Sequence, residues 1–150
     1  MNRRTLLPAI ALLATATLVA PVFVAAQQGV MPTSGQNRQK LVIQMSDNDP
    51  SKWSLALNNA KNVQDDLGAA NVDIEIVAYG PGINMLKLES PAGSRVADAM
   101  KAGVKVVACE NTMRALKLAK DDMQPAISYA PAGVTEIMRL QQAGWSYIRP

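Results

Sequence analysis

What most constrains this chain is an alternation. Short, nearly continuous apolar runs are separated by segments whose apolar residues recur at three- and four-residue spacing. Lys40-Leu41-Val42-Ile43-Gln44-Met45 opens the series as a strand apolar enough to be covered on both faces. Ser46 to Pro50 reads as a turn. Ser51 reads as the cap of a helix from residue 52 on, with Trp53, Leu57, Ala60, Val63 and Leu67 as one stripe and Gly68 as its end. Trp53 reads as a core anchor. In the next run, Val72, Ile74 and Ile76 alternate with Asp73 and Glu75, which predicts a second strand through Tyr79. Gly80-Pro81-Gly82 is a tight connection, Ile83 to Leu88 a helical turn, and Ser94 to Ala102 a helix closed by Gly103. Strand, helix, strand, helix in series predicts a mostly parallel sheet with helices on both faces.

The C-terminal half continues the series. Lys105 to Cys109 is a third strand. A helix then carries Met113, Leu116 and Ala119 or Lys120, with Asn111 or Thr112 as its cap. Ala126 to Tyr129 is a short fourth strand, and Pro131-Ala132-Gly133 a turn. Val134, Ile137, Met138 and Gln141 lie on a helix ended by Gly144. Trp145 to Ile148 is the last strand.

The N-terminus follows different rules. Arg3 and Arg4 precede a charge-free, mostly apolar run from Leu6 to Val24, and Val24-Ala25-Ala26 fits a small-residue cleavage site. This predicts a signal peptide over residues 1–26, export to the periplasm or beyond, and no membrane anchor after cleavage. The Arg3-Arg4 pair also resembles a twin-arginine signal. Residues 27–39 read as a flexible leader and 40–150 as one α/β domain. Of the 15 basic residues, Arg3 and Arg4 fall in the signal, leaving 13 against 12 acidic residues, or +1. With no run of Lys or Arg, a nucleic-acid surface is not expected.

The chemistry available is narrow. The chain has no histidine and one cysteine. That excludes Ser-His-Asp and Cys-His machinery, imidazole metal ligands and an intramolecular disulfide. Gly80 and Gly82 lack the lysine and third glycine of a phosphate loop, so they read as a turn. Cys109 stands where a strand ends and a helix begins. There, unpaired backbone N–H groups and the helix dipole lower a thiol's pKa and favour the thiolate. Cys109 is therefore the candidate nucleophile. The Asn111 and Thr112 backbone N–H groups are the expected donors to a bound sulfur; Glu110 either orients them or is simply exposed, and its carboxylate would work against a lowered thiol pKa if it approached the sulfur. No cofactor and no metal are expected; Cys109 with Met113 gives only two soft ligands for Cu(I), too few. The opposing reading is that Cys109 is buried as a small hydrophobe.

The segment Val107-Ala108-Cys109-Glu110-Asn111-Thr112-Met113 resembles the cysteine segment of DsrE/DsrF-like proteins, in particular their small exported branch. Tyr79-Gly80-Pro81-Gly82-Ile83, Pro131 to Ile137 and Gln141 to Ile148 agree with it in order and spacing. The resemblance implies a three-layer α/β/α sandwich with a mostly parallel five-stranded sheet. It also implies a homo-oligomer, often a trimer or hexamer. In relatives a cysteine at the place of Cys109 carries sulfur as a persulfide and passes it to a partner protein. Members of the branch often carry a histidine just before Gly-Pro-Gly, where this chain has Tyr79. Two functions stand at this point. One is a periplasmic persulfide carrier or sulfurtransferase working through Cys109. The other is a non-catalytic oligomeric binding or assembly module with a structural cysteine.

Overall fold

The computed structural model describes residues 38–150. The expected signal peptide and nearly all of the expected leader lie outside those residues. Five strands form one sheet: β1 (Gln39–Met45), β2 (Val72–Ala78), β3 (Lys105–Cys109), β4 (Ser128–Ala130) and β5 (Ser146–Ile148). Their spatial order is β4-β3-β2-β1-β5 and every pairing is parallel. Four helices connect them: α1 (Pro50–Leu67), α2 (Gly93–Lys101), α3 (Glu110–Ala115) and α4 (Gly133–Gln142). Residues Gly80–Leu86 form a 3₁₀ helix between β2 and α2. Among the described residues, no helix is long and apolar enough to cross a membrane.

The connections explain the layers. From β1 to β4 the chain steps repeatedly toward one edge, then α4 carries it back to the far edge, where β5 pairs with β1. Right-handed crossovers in opposite directions must lie on opposite faces. The first face accordingly gathers Leu41, Ile43 and Met45, Ile74 and Ile76, and Val106. They pack against Trp53 and Leu57 of α1, Ile83, Met85 and Leu86 of the 3₁₀ helix, Val96 of α2 and Met113 of α3. The second face carries a smaller cluster of Val42, Val77, Val107, Ala130 and Ile137, flanked by Tyr79, Leu140 and Trp145. Alternation along each strand produces this division.

One strand start and three helix ends differ from expectation. The fourth strand, expected from Ala126, begins at Ser128, and Ala126 adopts φ 66°. The cap of α1 is Asp49, whose carboxylate accepts the Ser51 N–H at 2.8 Å. Pro50 forces Asp49 to be extended and itself supplies the first helical residue, which needs no N–H donor. Cys109 stands at the N-cap of α3, ahead of both Asn111 and Thr112. Finally, α3 stops at Ala115 instead of continuing to Ala119 or Lys120. Lys117 adopts φ 56°, its N–H donates to Arg114 O (3.2 Å), and the Leu118 N–H donates to Met113 O (2.9 Å). This is a Schellman ending with Lys117 in the place usually held by glycine. It brings Leu118 against the first-face cluster that holds Met113, while Leu116 stays exposed.

Candidate functional site around Cys109

Cys109 ends β3 on the second face of the sheet, in register with Ala130 of the neighbouring β4. Because β3 and β4 are adjacent and parallel, the loops that follow them meet above the carboxyl edge. The β3 exit gives Glu110, Asn111 and Thr112. The β4 exit gives Pro131, Ala132 and Gly133, which opens α4. Asn111 N–H donates to Pro131 O at 3.1 Å and pins the two exits together. Gly133 N–H donates to Cys109 Sγ at 3.2 Å.

The contact with Gly133 depends on its having no side chain. A Cβ there would lie 3.1 Å from Tyr79 Cβ, 3.2 Å from Cys109 Cβ and 3.3 Å from Val77 Cγ1. The first turn of α4 therefore sits directly on the thiol, with the Gly133 N–H facing it. Thr112 closes another side. Its Oγ1 accepts the Gly80 N–H at 2.9 Å, which leaves the hydroxyl hydrogen free for the sulfur.

The thiol is buried, with 5 % of its surface exposed. Burial pushes its pKa up. The Thr112 hydroxyl, the Gly133 N–H and the backbone amides of Thr112 and Asn111 outweigh that effect, so the pKa lies below the ordinary thiol value.

The residues expected at the site divide in two. Cys109 and Thr112 come together, with Thr112 contributing a side chain as well as a backbone donor. The side chain of Asn111 turns to Arg114. Glu110, the first residue of α3, is half-buried and forms no ion pair among the described residues. Met113 is buried in the first-face cluster, which makes it core. Gly133 was not expected at the site. Its signal was present in Pro131-Ala132-Gly133, a turn before a helix, but only adjacency of β3 and β4 brings it to Cys109.

Thr112 also lines a cavity of about 530 Å³, walled by Gly80, Pro81, Asn84, Asn111, Ala115 and Leu116, in which Cys109 takes no part. A cleft of about 410 Å³ lies between α1 and α2, where Arg95 is tied to Asn58 Oδ1 at 2.7 Å. No cysteine, serine or threonine lines that cleft. Among the described residues, no three His, Cys, Asp or Glu side chains group as a metal site.

Comparison with known proteins bears on both fold and family. A structure of MTH1491 from Methanobacterium thermoautotrophicum, a protein of unknown function, is 36% identical. The match covers 75% of this chain and 99% of that one, with a TM-score of 0.72. BT1422 from Bacteroides thetaiotaomicron, also of unknown function, matches at 12% identity, covering 75% and 95%, with a TM-score of 0.63. The ychN protein from E. coli matches at 13% identity, covering 75% and 99%, with a TM-score of 0.61. No functionally curated protein matches. The latter two structures share the fold. The first shares sequence as well, and a sequence model described as the DsrE/DsrF-like family matches residues 39–150, the whole of the α/β domain. The chain belongs to the DsrE/DsrF-like family, a family associated with sulfur relay.

Proposed function

We propose that this protein is an exported sulfur carrier or sulfurtransferase in which Cys109 holds a persulfide. The observation that carries the reading is the convergence of donors on one thiol. Gly133 N–H at 3.2 Å, the Thr112 hydroxyl and the start of α3 all stabilise negative charge on Sγ. No general base is required for such a thiol, which suits a chain without histidine.

The chemistry is thiol exchange. The Cys109 thiolate attacks the sulfane sulfur of a donor persulfide or polysulfide. A new S–S bond forms at Cys109 as the donor's S–S bond breaks, and the donor leaves as a thiolate. The acceptor's thiolate then attacks the outer sulfur of the Cys109 persulfide, and Cys109 leaves as a thiolate. No external oxidant or reductant is consumed. The same N–H groups that hold the thiolate favour it as the leaving group in the second step.

Incubation of the folded protein with polysulfide is expected to add sulfur to Cys109, read by intact mass. Cys109→Ser should abolish the adduct and keep the fold, since oxygen is smaller and far less nucleophilic toward sulfur. A Cys109 that reacts only after denaturation would instead support the second reading, an assembly module with a structural cysteine. Its 5 % exposure favours that alternative.

Two further parts of the proposal concern context. The basic, apolar, small-residue pattern of residues 1–26 supports export and a mature N-terminus at Gln27. Intact mass of the exported protein checks it; a mass that includes residues 1–26 would indicate a retained anchor. The α4 helix exposes Val134 and Met138 one turn apart, which supports a homo-oligomer, a trimer by family likeness. Light scattering should give a multiple of the protomer mass, and a monomer at micromolar concentration would remove this part.

A further inference from the structure

The second face of the sheet carries a charged cluster that the thiol chemistry above does not use. Glu75 on β2 and Lys105 on β3 are register partners, in the middle of a parallel sheet. Glu75 is 2 % exposed. One of its oxygens accepts from Lys105 Nζ at 2.9 Å, while Oε1 is buried without a hydrogen-bond partner. A buried carboxylate with an unpaired oxygen is costly, and a valine would fit the surrounding Val42, Val77 and Val107. The same Lys105 Nζ lies 4.0 Å from Glu136, in the first turn of α4. Lys105 thus joins a carboxylate from the sheet to a carboxylate from the helix.

The placement relates this cluster to Cys109. Lys105 begins β3 and Cys109 ends it, roughly 13 Å away at strand rise. Glu136 is one turn along α4 from Gly133, about 4.5 Å at helical rise. Strand β3 and helix α4 therefore meet at two polar contacts, the Gly133 N–H to Cys109 Sγ hydrogen bond and the 4.0 Å ion pair of half-exposed Lys105 with Glu136. Apart from these contacts, α4 rests on a small apolar patch through Ile137 and Leu140.

We infer that Lys105, with Glu75 and Glu136, is a positioning cluster that fixes the first turn of α4 over β3 and so holds the Gly133 N–H on Cys109 Sγ. It rests on the persulfide reading of Cys109 for its functional meaning, since it sets how readily that thiol ionises. Glu75 anchors Lys105 from below. Without the lysine, two carboxylates would face each other, and the helix turn bearing Glu136 would move away from the sheet.

The test compares Lys105→Met, Lys105→Arg and Glu136→Gln in the full folded protein. Two readouts are used: the pH profile of iodoacetamide alkylation, and hydrogen exchange of the Gly133 amide by NMR. Lys105→Met is expected to raise the thiol pKa by about one unit, about tenfold less thiolate at neutral pH, and to speed Gly133 exchange. Glu136→Gln should shift both in the same direction by less, and Lys105→Arg should preserve the wild-type profile. Should Lys105→Met fail to fold, Glu136→Gln decides, because it is an isosteric change at a half-buried position. Wild-type values of both readouts in Lys105→Met and Glu136→Gln, even with a lowered melting temperature, would overturn the inference and leave a purely structural ion cluster. If wild-type Cys109 takes up no sulfur, the carrier reading fails by itself, and Gly133 exchange still decides whether the cluster positions α4.

Discussion

The two faces of the sheet are built from the same strands, yet they are put to different uses. On the first face, α1, α2, the Gly80–Leu86 segment and Met113 bury an unbroken apolar surface. On the second, α4 covers a few valines, and the remaining space holds a buried glutamate, a lysine and the chain's one cysteine. The thickly covered face provides the core, and the lightly covered face sets the first turn of one helix against the buried Cys109 thiol. Apolar core and thiol thereby lie on opposite sides of one set of backbone hydrogen bonds.

The comparison is broken most severely on the first face. Gly82→Ala would place a Cβ 2.3 Å from Met45 O and 2.6 Å from Met45 C, against backbone that has nowhere to go. We expect a loss above about 4 kcal/mol, read as failure to unfold cooperatively in urea. A matched pair then sharpens the contrast. Ile76 and Ile137 are both buried, one on each face. Ile76→Ala should cost about 4 kcal/mol and Ile137→Ala about 2 kcal/mol, within the usual range for such truncations. Thiol alkylation should reverse the order, with Ile137→Ala slowing it and Ile76→Ala leaving it unchanged in the native state. Equal alkylation profiles would show that α4 does not govern Cys109.

A smaller effect is expected at Gly133. Its would-be Cβ meets Tyr79 Cβ, Cys109 Cβ and Val77 Cγ1 at 3.1–3.3 Å, a crowding of a few tenths of an ångström that a small shift of the first turn of α4 relieves. Gly133→Ala should cost about 1 kcal/mol, yet raise the thiol pKa by lifting the N–H from the sulfur.

The smallest effect is one of pH. Burial pushes the Glu75 carboxyl up from its ordinary value of 4.5, the Lys105 hydrogen bond and charge pull it back, and Glu136 adds to the rise. The folded state therefore holds this proton more tightly than the unfolded chain does. The resulting stabilisation is full below the unfolded value near 4.5 and is lost as pH climbs through the higher folded value. Urea midpoints should fall over that window in the wild type and stay flat in Glu75→Gln, after subtraction of the shared background.

How much of this was legible depended on whether a residue announces its backbone or only its neighbours. The strands were readable because runs such as Leu41-Val42-Ile43 and Val106-Val107-Ala108 are apolar on both faces. The ends of α2 and α4 were readable because Gly103 and Gly144, at φ 91° and 83°, hold the left-handed position of a Schellman ending. In each case the closing bond, Val104 N–H to Ala99 O or Trp145 N–H to Leu140 O, measures 3.0 Å. The end of α3 uses the same device with Lys117, which carries no such mark, so its helix was expected to run on. Ser51 was read as a cap because it is a good one locally. Asp49 prevails because Pro50 fixes where the helix begins. At the site, Cys109 and Thr112 could be found by position after a strand. Gly133 and Lys105 could not, because their roles arise from which strands lie side by side.

The pairing of β1 with β5 has a consequence for how the chain reaches this structure. Leu41, Val42 and Ile43 lie beside Ser146, Tyr147 and Ile148, almost the full length of the domain away in sequence. Such distant partners make folding slow, because a long loop must close before any reward is collected. Until then one edge of β1 offers unpaired N–H and C=O groups and an apolar side to any other strand nearby, the circumstance in which nascent chains aggregate. Three residues at the C-terminal edge, secured by the Tyr147 hydroxyl on Gln44 at 2.6 Å, cover that edge of β1 in the folded chain. A chain truncated before Trp145 would have four strands, an intact thiol segment and a persistent tendency to associate.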